Sequence, residues 1–232
     1  MFTVAFLYSC VGHAGASGYI AVMTLFGLAP AILKPTALAL NILVATIASW
    51  QFRRAGHFSW KLFWPLALAS VPCAYLGGYL DLPTRVFNIV VGLVLLSSAA
   101  RFLFDPPAET PVKPPTLPVS LGVGAGLGLL SGLTGTGGGI FLTPLGIFLR
   151  WDGTKTIAAV SAAFILVNSA AGLAGHLSKT RTFPSVVFNL ALAALAGGAA
   201  GSYLGSTRLA PIAIKRLLSV VLAIAGFKLI FN

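Results

Sequence analysis

The chain of 232 residues is 57% hydrophobic and 8% charged, with a mean hydropathy of +0.95, outside the balance of a water-soluble domain. Its net charge of +11 comes from cations at the ends of apolar segments, not from one patch, which argues against nucleic acid and for interfacial anchoring. Cys10 and Cys73 stand alone in apolar surroundings with no Cys/His cluster of ligand spacing, so they read as inert thiols, and no metal or cofactor is expected.

Apolar stretches run at residues 2 to 28, 36 to 52, 62 to 80, 86 to 104, 118 to 149, 156 to 177, 184 to 204 and 212 to 231. Each is near or above the roughly 20 residues that cross a bilayer, the second being marginal. The chain therefore reads as an all-α polytopic protein of a bacterial-type plasma membrane. No basic residue precedes the first stretch and no small-residue cleavage pattern follows it, so that stretch is expected to persist. The first and fifth stretches contain glycine runs, "GHAGASG" at 12 to 18 and "GTGGG" at 135 to 139. Gly costs about 1 kcal/mol relative to Ala inside a helix, so both runs should break it, with helix resuming at Tyr19 and at Ile140. Residues 1 to 11, 19 to 28, 121 to 131 and 140 to 149 are the flanking arms, each about 15 Å long or half a bilayer core. Each interrupted segment is thus one broken span or a re-entrant hairpin.

The chain is internally duplicated. "GHAGASGYI" at 12 to 20 aligns with "GLTGTGGGI" at 132 to 140, "AGHF" at 55 to 58 with "AGHL" at 174 to 177, "LALA" at 66 to 69 with "LALA" at 190 to 193, and "GGYL" at 77 to 80 with "GSYL" at 201 to 204. Residues 1–104 and 118–232 form two homologous repeats within one membrane domain, joined by a Pro-rich linker, 105–117, expected to be extended and exposed. Duplicated halves with Gly-interrupted segments at matching positions point to a secondary transporter that binds its substrate near the midplane.

Charge separates the two topologies. If every stretch crosses, Lys and Arg divide evenly. If the interrupted segments re-enter, one side collects Arg53, Arg54, Lys61, Arg101, Lys113, Arg150, Lys155, Arg208, Lys215 and Arg216, leaving Lys34, Arg85, Lys179, Arg181 and Lys228 opposite. The second division has the asymmetry of the positive-inside rule. It gives three transmembrane helices and one re-entrant segment per half, makes the halves inverted repeats, and places residues 53 to 61 in the cytoplasm. Gly124, Gly128 and Gly132, like Gly197, Gly201 and Gly205, form small-residue stripes, read first as contacts within one subunit, with a homodimer as the alternative.

At "GLTGTGGGIFLTPL" and "KTIAAVSAAFILVNSAAGLAGH" the chain resembles the TauE/SafE sulfite-exporter family of membrane permeases, and "GLAPAILKPTALALN" and "RRAGHFSW" extend the likeness to the first half. The resemblance implies a non-enzymatic exporter of a small anion, sulfite or a related sulfur oxyanion or organosulfonate. "HAGAS" in place of a fuller glycine run, and Thr24 in place of Pro144, are departures in the first half. Another small anion, such as a carboxylate, could be held by the same donors, and a structural subunit is the remaining alternative.

An oxyanion leaving water needs fixed donors, which helix N-termini and closely approachable glycines supply. The candidate substrate site is therefore Gly12, His13, Gly15, Ser17 and Gly18 in the first break, and Gly135, Thr136, Gly137, Gly138 and Gly139 in the second. Asn41, Ser161, Asn168 and Ser169 on the adjoining spans complete it. Asp81, Asp105, Glu109 and Asp152 lie in linkers or at segment ends, so His13 is the candidate for proton coupling, while His57 and His176 read as a matched pair in Ala-Gly-His turns. An enzyme is disfavoured, there being no carboxylate pair and no nucleophile with a base beside it.

Overall fold

The computed structural model describes residues 1–28, 30–80, 96, 99–100, 112–181 and 183–231, and every regular element among them is helical. In chain order these are α1 (Phe2–Cys10), α2 (Ala16–Leu25), α3 (Pro30–Arg54), α4 (Trp60–Tyr79), α5 (Leu117–Thr134), α6 (Gly139–Phe148), α7 (Thr154–Thr180), α8 (Val186–Tyr203) and α9 (Pro211–Phe231), with a π turn, Leu204–Arg208, continuing α8. Five stretches among the described residues are long and apolar enough to cross a bilayer: Ile32–Arg54, Trp60–Tyr79, Leu117–Thr134, Thr154–Thr180 and Val186–Arg208. Phe188, Leu192 and Leu68 project outward from these helices, as lipid contact demands and water would not. The chain is a multi-pass integral membrane protein. The stretch 86 to 104 and most of the linker lie outside the described residues, except that 112 to 116 is non-helical and largely exposed.

The second stretch is no marginal span. Lys34 and Pro35 interrupt its apolar run but lie inside α3, which is 25 residues long. Pro35 forfeits only the bond its own missing N–H would have made, near the start of the helix. Helix also resumes after the breaks earlier than the glycines suggest, at Ala16 and at Gly139.

Both breaks reverse the chain. Val4 and Gly18 would stand about 20 Å apart on a continuous helix, yet a Cβ added at Gly18 would collide with the Val4 side chain. The Ser17 hydroxyl donates to the Tyr8 hydroxyl at 2.9 Å, tying α2 back onto α1. In the second hairpin the Lys113 N–H donates to the Arg150 carbonyl at 2.8 Å, joining the segment before α5 to the segment after α6. The arms here are unequal, contrary to the expected half-bilayer pair. α5 has 18 residues, about 27 Å, against 10 in α6. α5 is long because Pro118, near its N-terminus, starts it well and three of its five glycines, Gly124, Gly128 and Gly132, are packed against α4.

The packing repeats between halves. α4 lies along α5 and α7 while α8 lies along α1 and α3, and α2 rests on α3 as α6 rests on α7. Gly124, Gly128 and Gly132 press onto the Leu66, Ser70 and Ala74 backbones in turn, so α5 runs in the direction of α4. Gly197, Gly201 and Gly205 press likewise onto Phe2, Phe6 and Cys10, so α1 runs in the direction of α8. Both stripes are thus occupied within the chain.

α4 separates two ends of the bundle. At its Trp60 end the Arg53 guanidinium sits over the Trp60 ring at 5.5 Å, and His57 and Lys155 both approach the Ser206 carbonyl, at 3.2 and 3.4 Å. Ser59, Lys61, Pro114 and Trp151 line one cleft at the same end. At its Tyr79 end, Lys34 donates to the Gly77 and Gly78 carbonyls and the Tyr75 hydroxyl donates to Ser178. Ser59 and Ser178 therefore lie at opposite ends. The two Ala-Gly-His motifs do not match. Gly56 sits in a turn at φ +80°, whereas α7 continues through Ala174–His176 to Thr180, with Gly175 pressed against the Tyr75 carbonyl.

Candidate functional site

The candidate residues fall into two groups beside α7. The first break packs against the early part of that helix. Gly12, at φ +78°, lies on the Ala158 backbone, and a side chain there would strike it. His13 is 2% exposed. Its Nε2 lies 2.8 Å from the Thr143 hydroxyl, which in turn donates to Ser161 at 2.8 Å. Because Thr143 gives its proton to Ser161, it accepts from His13 Nε2–H, which leaves Nδ1 bare in the neutral ring. Nδ1 has no hydrogen-bond partner, nor has the buried hydroxyl of Ser9. Gly15, Ser17 and Gly18 are consumed inside the hairpin, facing the Tyr19 ring, the Tyr8 hydroxyl and the Val4 side chain.

The second break packs two turns further along. Ser161 and Ser169 are separated by about 12 Å of helix, but the two breaks meet at the start of α6, where His13 lies against the Gly139 backbone and hydrogen-bonds Thr143. A Cβ on Gly137, at φ +78°, would stand 2.7 Å from Ser169 Oγ and 2.8 Å from Asn41 Nδ2. Asn41 Nδ2 donates to the Thr136 carbonyl at 3.2 Å and to Ser169 Oγ at 3.3 Å, holding α3, α7 and the break together. Gly135 faces the Lys34 stem, Gly138 the Phe164 ring and Gly139 the Ile165 side chain. Phe164, Asn168 and Gly172 recur every four residues and so share a face of α7. Phe164 meets Gly138 and Gly172 meets Gly132, so Asn168 between them faces the segment 132 to 138.

Asn168 is 0% exposed and neither of its polar atoms is hydrogen-bonded. Asn41 Oδ1 and Ser131 Oγ are likewise buried without partners. Leaving such groups unmet costs about 1–3 kcal/mol each on the mutational scale. α6 has no side-chain cap; Phe141 and Leu142 N–H turn back to the Gly138 carbonyl, and the positive end of the helix lies at the same place. A membrane protein that keeps a carboxamide unmet beside an open helix start has the makings of a ligand site.

A family model described as sulfite exporter TauE/SafE matches residues 1–229. The chain belongs to the TauE/SafE family. It is also 39% identical, over 99% of its own length and 95% of the relative's, to a protein named "Probable membrane transporter protein y4hK" from Sinorhizobium fredii. No solved structure matches the chain. Family and relative together identify a membrane transporter.

Four residues of this TauE/SafE chain escape a reading by residue type. Thr143 carries the link from His13 to Ser161; it lies in "GLTGTGGGIFLTPL", one turn after Gly139, but its residue type does not single it out in an otherwise apolar helix. Tyr8 and Ser131 have no motif around them. Lys34, counted above for topology alone, lies beside Gly135.

Proposed function

We propose that this chain is a secondary carrier that exports a small anion of the sulfite or organosulfonate class, bound within the membrane chiefly at the second break. The carrying observation is the Asn168 carboxamide, fully buried without a partner in the chain, on the α7 turn between Phe164, which meets Gly138, and Gly172, which meets Gly132. The uncapped start of α6 supplies positive dipole and N–H donors to the anion, and the αL glycines 137 and 138 let it come close to the backbone. Held by uncharged groups, the ion can also leave.

The halves are read as inverted repeats, supported by the parallel pairs α5 with α4 and α1 with α8, and by the opposite ends to which Ser59 and Ser178 belong. His13, tethered at Nε2 and bare at Nδ1, is the proposed proton-coupling group. The sulfur class comes from the family's description and is the finer part of the proposal. Purified protein in liposomes, assayed for uptake and efflux of radiolabelled hydrogen sulfite, a hydroxyalkylsulfonate and a small hydroxycarboxylate, tests it. Sulfur anions should move at least tenfold faster than the carboxylate. Preference for the carboxylate would overturn the sulfur assignment, and movement of no anion would overturn the carrier reading itself.

A further inference from the structure

Resting on the anion reading, we infer that the ion held at the second break must bring its own hydrogen-bond donor, and that Asn41 reads it. The argument turns on how the Asn41 side chain is oriented. The Thr136 carbonyl can only accept, so the amide nitrogen of Asn41 must face it, and that nitrogen's second proton goes to Ser169 Oγ. The carboxamide cannot be reversed without placing two oxygens against each other. Its oxygen is consequently fixed as an acceptor, fully buried, with no donor from the chain to meet it.

The unpartnered polar groups around this break are therefore of two kinds. The start of α6 and Asn168 Nδ2 are donors that suit an oxyanion's oxygens. Asn41 Oδ1 and Asn168 Oδ1 are acceptors, which a fully deprotonated oxyanion cannot satisfy and would repel. An anion carrying one hydroxyl or amino group, or a protonated oxyanion, satisfies both kinds. A site built to hydrogen-bond a substrate N–H or O–H discriminates strongly against analogues that lack it, because the buried acceptor is then left unmet. The chemical class assigned is thus a monoanion with a donor close to its charged group.

Methanesulfonate and sulfamate test this directly, since both are monoanions of nearly one shape and differ in a methyl against an amino group. Sulfamate should raise the melting temperature of the purified wild-type protein at a concentration at least tenfold lower than methanesulfonate. Glycolate and propionate form the matching carboxylate pair, with glycolate expected to win by the same margin if the site takes carboxylates. Equal stabilisation within both pairs overturns the donor requirement while leaving anion binding intact. No stabilisation by any of the four overturns the underlying anion reading. Asn41→Leu should erase the preference, and Ser169→Ala, which leaves Oδ1 untouched, should keep it. A preference that survives Asn41→Leu would overturn the assignment to Asn41.

Discussion

The two Gly-rich breaks are copies of one device, and they have diverged. In the first, most side chains bind one another, Ser17 to Tyr8 and His13 through Thr143 to Ser161, leaving single atoms, His13 Nδ1 and Ser9 Oγ, without a partner. In the second, a whole carboxamide and a second amide oxygen stay unmet beside an uncapped helix start. On the proposal above, the first break serves as a lock between halves and the second as a place prepared for a ligand, and the residues around each chain reversal set its use.

The largest expected effect is at Gly12. Ala there combines an unfavourable φ of +78° with a collision against the Ala158 backbone. Gly12→Ala should cost roughly 3 kcal/mol of stability, summing αL strain and overpacking. Denaturation in detergent measures it, and anion affinity in the remaining folded protein should change less than threefold.

Gly137→Ala should invert that pattern. Its Cβ would push into Ser169 and Asn41, so anion-induced stabilisation should weaken at least thirtyfold in concentration, about 2 kcal/mol. Gly138→Ala, whose Cβ faces the Phe164 ring, should perturb binding less. Equal losses for Gly12→Ala and Gly137→Ala in a binding titration would erase the distinction between the breaks.

Ser17→Ala removes one buried hydrogen bond to Tyr8 and should lower stability by about 1 kcal/mol, seen as a drop in melting temperature, with transport unchanged. His13→Gln can still donate to Thr143, so its effect on stability should be the smallest of the set. Transport measured across pH should lose its pH dependence in this variant and keep it in His57→Gln. An unchanged profile in His13→Gln would leave the first break as a lock alone.

The sequence made the helical membrane class and the positions of both breaks legible, because each rests on local pattern: apolar length and glycine density. It also pointed to Asn41, Asn168 and Ser169, polar residues conspicuous in apolar spans. The unequal arms of the second hairpin were not legible, because apolar composition alone does not mark where α5 starts. Thr143 and Lys34 were missed for a related reason. Their partners, His13 and the Gly77 and Gly78 carbonyls, lie 130 and about 43 residues away and meet them only through packing between helices. The two Ala-Gly-His motifs show the opposite hazard, one local pattern with two outcomes, a turn at Gly56 and a helix at Gly175.

The central claim is that the second break retains unmet polar groups for an anion's sake. Asn168→Leu tests it most directly, through paired melting curves with and without hydrogen sulfite, the protonated monoanion. Without the anion, Leu removes a buried amide that has no partner, so the variant should melt at or above the wild-type temperature. With the anion, the wild type should be stabilised and the variant should not respond. A variant that melts well below wild type yet retains its full anion response would show that Asn168 serves packing, and would contradict the account.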